Sequence, residues 1–144
     1  MKQVAPYSLW LGHAGDGRNV RTLVDSGIQA VVQLAVEEPP LQLPRDIIVY
    51  RFPLLDGAGN DARVLRMAIT SVANLVHQEF STLVCCGAGM SRAPVIAAAA
   101  LAVLKGGDLR ERLHEISHHR PADVSPGLLE SVFSLQPWAD DVRP

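Results

Sequence analysis

The stretch from Ser81 to Ala100, STLVCCGAGMSRAPVIAAAA, decides how the rest of the chain is read. STLVCC is a short apolar run, APVIAAAALAVLK is apolar on nearly every side, and a glycine-rich turn joins them. The pattern predicts a buried strand, a tight turn and a helix buried in the middle of the molecule. In an open α/β sheet, ligands collect where the carboxyl ends of strands feed helix N-termini. Backbone N–H groups converge there, and the helix dipole adds roughly half a positive charge. Gly87 and Gly89 let the backbone curl without Cβ atoms in the way. Arg92, in the first helical turn, offers a planar fork to an oxyanion. The turn from Gly87 through Ala88, Gly89, Met90 and Ser91 to Arg92 therefore reads as an anion cradle. A cysteine on its floor is electrostatically activated, and five residues separate Cys86 from Arg92, so both can reach one phosphate.

The flanking sequence predicts alternation of strand and helix. YSLWLG reads as a strand followed by a Gly/Asp turn, and NVRTLVDSG as a helix with Val20, Leu23 and Val24 on one face. AVVQLAV and DIIVYRFPLL read as strands, separated by the proline-punctuated loop EEPPLQLP; the second ends at Asp56 in the turn DGAGND. Asp61 to Glu79 has amphipathic helical spacing, and Asp61 stands at its N-cap. Asp108 caps a further helix, and Ser125 with Pro126 opens the last one. The expected architecture is α/β, a central and largely parallel sheet flanked by helices, with residues 1–144 as one domain.

Composition bounds the rest. Of 144 residues, 48% are apolar and the formal net charge is −2, which argues against a broad nucleic-acid-binding surface. The N-terminus is a poor secretory signal, and the longest apolar run, Ala93 to Leu104, is too short to span a membrane. Two adjacent cysteines cannot staple distant segments, so a reducing, cytoplasmic setting is expected. His114, His118 and His119 lack a completing ligand and read as solvated or capping residues rather than a metal site. Trp10 and Trp138 read as packing.

Cys86-Gly-Ala-Gly-Met-Ser-Arg92 resembles the C-x5-R signature of cysteine-dependent phosphatases, and its AG-x-SR core resembles the dual-specificity branch. FPLLDGAGND is similar to that family's general-acid segment, with Asp56 at the acid. YSLWLG with LVDSGIQAVVQL, and HHRPADVSPGLLESV, are similar to its opening and closing segments, though the asparagine usual beside the closing proline is missing. The resemblance implies a dual-specificity phosphatase-like fold and a cysteinyl-phosphate mechanism without metal or other cofactor. Cys86 would be nucleophile, Arg92 the phosphate clamp and Asp56 first acid, then base. A phosphorylated protein is the expected substrate, with no nucleic-acid or membrane partner. Phosphoinositides and RNA 5′-phosphates are the alternatives, and the turn carries no lysine to favour a polyanionic inositol phosphate.

Two positions depart from the family pattern. Cys85 stands where histidine is usual, and Ala93 where the family has serine or threonine to help sulfur depart. A competent but sluggish enzyme is the expectation. Two readings compete with it. One is a phosphate-binding interaction module whose activity has decayed; the other is a nucleotide site built on the near-G-x-G-x-x-G turn, which lacks its third glycine and any Walker lysine.

Overall fold

A computed structural model describes residues 1–138 of the chain. Five strands form one sheet in the order β1-β2-β5-β3-β4. They are β1 (Lys2–Gln3), β2 (Leu9–His13), β3 (Ala30–Ala35), β4 (Ile48–Leu54) and β5 (Thr82–Cys86). All neighbours run parallel except β1, which pairs antiparallel with β2. Six helices complete the fold: α1 (Ala14–Arg18), α2 (Val20–Asp25), α3 (Ala62–His77), α4 (Arg92–Lys105), α5 (Leu109–Ser117) and α6 (Pro126–Phe133). The largely parallel, helix-flanked sheet expected from the sequence is the one observed.

Parallel strands covered on both faces need side chains that tolerate burial everywhere. Every residue of β3 (AVVQLA) and of β5 (TLVCC) is buried. One face packs against Leu65, Ile69 and Val72 of α3, the apolar length of α4, Leu109 and Ile116 of α5, and Leu128 and Val132 of α6. The other carries a smaller cluster of Leu23, Ile28, Val31, Ile47, Leu83 and Cys85, with Trp10 and Leu41 against it. Successive strand residues point to opposite faces. Cys86 accordingly belongs to the first cluster and Cys85 to the second, so the adjacent cysteines do not share an environment.

Helix α4 is buried from Arg92 to Ala102. Its alanine run keeps the helix slim enough to lie between the sheet and its neighbours, and each fully buried Ile or Leu contributes about 1.5–3 kcal/mol over exposure. The caps follow the sequence: Asp61 accepts from the Arg63 amide at α3, and Asp108 from the Glu111 amide at α5.

Three local expectations are corrected. The Gly/Asp turn after β2 is the short helix α1, started by a capping box in which His13 and Asp16 satisfy each other's amides. In α2 only Leu23 is buried, while Val20 and Val24 stay exposed, because two turns at the sheet margin cover a single core position. Ser125 stands at the N-cap of α6, yet its hydroxyl caps nothing; the residue is instead held through its backbone, as described below. Trp10 and Trp138 both pack against the core as expected.

Candidate active site

The loop from Gly87 to Ser91 leaves the carboxyl end of β5 and enters α4 at Arg92. Its carbonyls are bonded outward one after another. Gly87 O accepts from the Ala14 amide at 3.0 Å and Met90 O from the Asp123 amide at 2.7 Å. Arg120 donates from Nε to Gly89 O at 3.2 Å and from Nη2 to Ala88 O at 3.4 Å. A trans peptide holds N–H and C=O on opposite sides, so the intervening amides face away from these partners. Gly89 cannot be anything larger: its φ is +76°, and a Cβ would lie 2.7 Å from Gly12 O.

Cys86 Sγ sits beneath this loop and accepts from the Ala93 amide at 3.4 Å. The Ala93 side chain is a fully buried methyl, so its contact to sulfur comes from the backbone alone. Cys86, Asp56, Ala88, Met90, Ser91, Arg92 and Asp123 line one small pocket of about 110 Å3. A larger groove along α3, lined by Arg63, Arg66, Met67, Thr70 and Ser71, brings no thiol into play.

Arg92 is 4% exposed, and a buried cation requires a counter-charge. Glu37 supplies it end-on: Nη1 donates to Oε1 at 2.6 Å and Nη2 to Oε2 at 2.5 Å. Nη1 also donates to Leu54 O at 2.9 Å, while the buried Nε–H has no protein partner. A guanidinium has five N–H bonds. The edge formed by Nε and the second N–H of Nη2 is therefore left for an incoming anion. The open side of the guanidinium is this edge, because Glu37 occupies the paired terminal nitrogens.

The same pair shifts both partners. Hydrogen bonding to Arg92 lowers the Glu37 carboxyl from 4.5 to about 2, against a smaller opposing effect of burial. The Arg92 guanidinium is raised in turn, chiefly by its hydrogen bond to Glu37. Glu37 is held in register by the loop that carries it. Buried Gln33 donates to Pro39 O and accepts from the Leu41 amide, and Arg51 donates to the carbonyls of Val36 and Glu38. Sequence reasoning passed over Glu37 as part of a proline-rich loop. The available signal was an acidic pair directly after a buried strand, at the edge where Arg92 needs a partner.

Asp56 arrives from the loop after β4. The Asn60 side chain shapes that loop, bonding both the amide and the carbonyl of Leu55 and the carbonyl of Gly57. Asp56 Oδ1 accepts from the Ser91 hydroxyl at 2.5 Å, which ties it to the cradle. Asp61, the other carboxylate of this segment, is committed to α3: Arg63 binds it from the backbone and the guanidinium, lowering its carboxyl to about 2.

Cys85 lies on the opposite face of the sheet, 1% exposed, and burial followed by the neighbouring Cys86 pushes its thiol up to about 12. It packs; it does not face the cradle. His114 and His118 touch edge-to-face at 4.8 Å, and among the described residues no group of three His, Cys, Asp or Glu side chains is close enough to hold a metal ion. No described helix is long and apolar enough to cross a membrane.

No family model matches the sequence, and no curated protein does. Solved structures do. Human DUSP28 superposes with a TM-score of 0.82 at 25% identity, over 93% of this chain and 94% of that one. A mouse putative dual specificity phosphatase, solved in complex with zinc tungstate, gives 0.81 at 26% identity, over 99% and 91%. DUSP15 gives 0.75 at 25% identity, over 96% and 88%.

Proposed function

Since this chain is a dual-specificity phosphatase-like member of the cysteine-dependent protein tyrosine phosphatase superfamily, we propose that it hydrolyses phosphate monoesters through a cysteinyl-phosphate intermediate. The observation that carries the reading is one pocket lined by Cys86, Asp56 and Arg92, whose Nε–H is buried without a protein partner. In the first step Cys86 Sγ bonds to phosphorus as the P–O bond to the leaving group breaks. The Nε/Nη2 edge of Arg92 and the loop amides from Gly87 to Arg92 take the charge on the phosphoryl oxygens, and Asp56 gives its proton to the departing oxygen. Asp56 then takes a proton from the water that attacks phosphorus and returns Cys86. Residues 1–144 act as one catalytic domain.

The substrate we propose is a phosphorylated protein carrying phosphotyrosine, phosphoserine or phosphothreonine. Asp123 and Asp56 stand on the pocket wall, and Glu37, with a side chain 54% exposed, holds Arg92 from behind. That density of carboxylates opposes a polyanion such as an inositol polyphosphate more than a singly phosphorylated side chain. Cys86→Ser should abolish turnover of phosphopeptides while leaving the binding of inorganic phosphate, read by calorimetry, largely intact. Unchanged turnover in that variant would remove Cys86 from the chemistry. Turnover of RNA 5′-phosphates or phosphoinositides above that of phosphopeptides would replace the substrate.

A further inference from the structure

A hydrogen-bonded chain of three groups runs from the start of α6 to the proposed acid. The backbone N–H of Ser125 donates to Ser91 Oγ at 3.0 Å, and Ser91 Oγ lies 2.5 Å from Asp56 Oδ1. The direction of each bond follows from chemistry. A backbone N–H can only donate, so the Ser91 oxygen accepts on that side and keeps its single proton free to donate to Asp56 Oδ1. Oδ1 is then committed as an acceptor. We infer that Ser91 is the positioning residue of the acid: it fixes the carboxyl rotamer and leaves Oδ2 as the oxygen that carries the transferable proton. The inference rests on the reading of Asp56 as acid. Ser91 acts through Asp56 and keeps its own proton throughout. As Sγ–P forms and P–O breaks, the Oδ2 proton goes to the leaving oxygen; in the return step the carboxylate recovers a proton from water.

Among the described residues, Ser91 is the hydrogen-bond partner of the Asp56 carboxyl. Ser91 is 7% exposed, and its position at the end of the loop is fixed by Arg92, the first residue of α4. α6 approaches closely because residue 127 is glycine: a Cβ there would lie 2.8 Å from the Ala58 amide in the acid's own loop. The Ser125 hydroxyl has no partner, so Ser125 contributes its backbone and not its side chain. Its φ of −60° suits proline, which makes the N–H separately removable.

The test is a leaving-group series of aryl and alkyl phosphates, from dinitrophenyl phosphate to phenyl phosphate and an alkyl phosphate. Acid catalysis matters little when the leaving oxygen is already a weak base and increasingly as it becomes a stronger one, up to ~10²–10⁴-fold. In Asp56→Ala, kcat/KM should fall steeply along the series. Ser91→Ala should show the same trend at reduced size, its loss on phenyl phosphate exceeding its loss on dinitrophenyl phosphate by about fivefold or more. A cooperative thermal unfolding transition in Ser91→Ala reports a folded chain. Ser91→Thr, which keeps a hydroxyl, and Ser125→Ala should each keep most of the wild-type phenyl phosphate rate; Ser125→Pro should behave as a milder Ser91→Ala. Equal losses across the series in Ser91→Ala, beside a steep series in Asp56→Ala, would reduce Ser91 to loop structure and overturn the inference alone. A flat series in Asp56→Ala would remove Asp56 as acid and the inference with it.

Discussion

Replacing Glu37 by glutamine removes the counter-charge of Arg92 while keeping shape and an acceptor oxygen. The fall of the carboxyl from 4.5 to about 2 corresponds to about 3 kcal/mol, at ~1.4 kcal/mol per tenfold change in proton affinity. The Glu37 side chain is 54% exposed, so water screens the pair, and about 1–2 kcal/mol is the expected loss. For a chain of this size that lowers Tm by about 3–8 °C. The pH dependence gives the signature. A depressed carboxyl contributes stability that is fully present above the unfolded value of 4.5 and is lost as pH falls toward about 2. Glutamine does not titrate. The stability difference between wild type and Glu37→Gln should therefore be constant above pH ~5 and close progressively below it. Urea unfolding followed by tryptophan fluorescence at a series of pH values reads this directly. A difference that stays the same from pH ~6 to ~3, or one below ~0.3 kcal/mol at neutrality, would show that the ion pair does not hold Arg92. Phosphatase activity should fall in the same variant at neutral pH, because the Nε/Nη2 edge loses its fixed aim.

Ala93→Ser places a hydroxyl on the residue whose amide already touches Cys86 Sγ at 3.4 Å. Steady-state turnover of a good aryl phosphate should rise several-fold and the pre-steady-state burst should shrink; no burst in wild type would refute slow breakdown of the intermediate. Cys85→His should destabilise by about 1–3 kcal/mol by overpacking, since Sγ stands only 3.0 Å from a Cβ built on Gly17; calorimetry checks it, and a histidine accommodated without loss would contradict the packing. The Cys85 thiol, raised to about 12, contributes stability that is intact below about 9 and lost as pH rises toward 12, so Cys85→Ala should lessen the alkaline loss. Gly89→Ala forces a Cβ to 2.7 Å from Gly12 O at φ +76°, and should cost about 1–3 kcal/mol and most of the activity.

The alternation of elements was legible because the signals are local. Period-2 and period-3.6 runs, the Gly106-Gly107 stop after α4, and the caps at Asp61 and Asp108 each act within a turn or two of chain. The same holds for the cradle: glycines, Cys86 and Arg92 lie within one short loop, where spacing alone sets geometry. Even the separation of the two cysteines follows from strand alternation, since β5 sends Cys85 and Cys86 to opposite faces. Short helices at the margin were less legible, because two turns of α2 bury only Leu23 and a five-residue helix looks like a turn.

Only tertiary structure could decide what meets Arg92 and Asp56. Glu37 is fifty-five positions from Arg92 in sequence, and Asp56 thirty-five from Ser91. Their encounters depend on β3 and β4 ending at the same sheet edge as β5. The sequence could name an arginine able to bind an oxyanion. Which edge of it is free depends on long-range partners, because a buried cation and a buried hydroxyl take whatever charges and donors the packed chain brings to them.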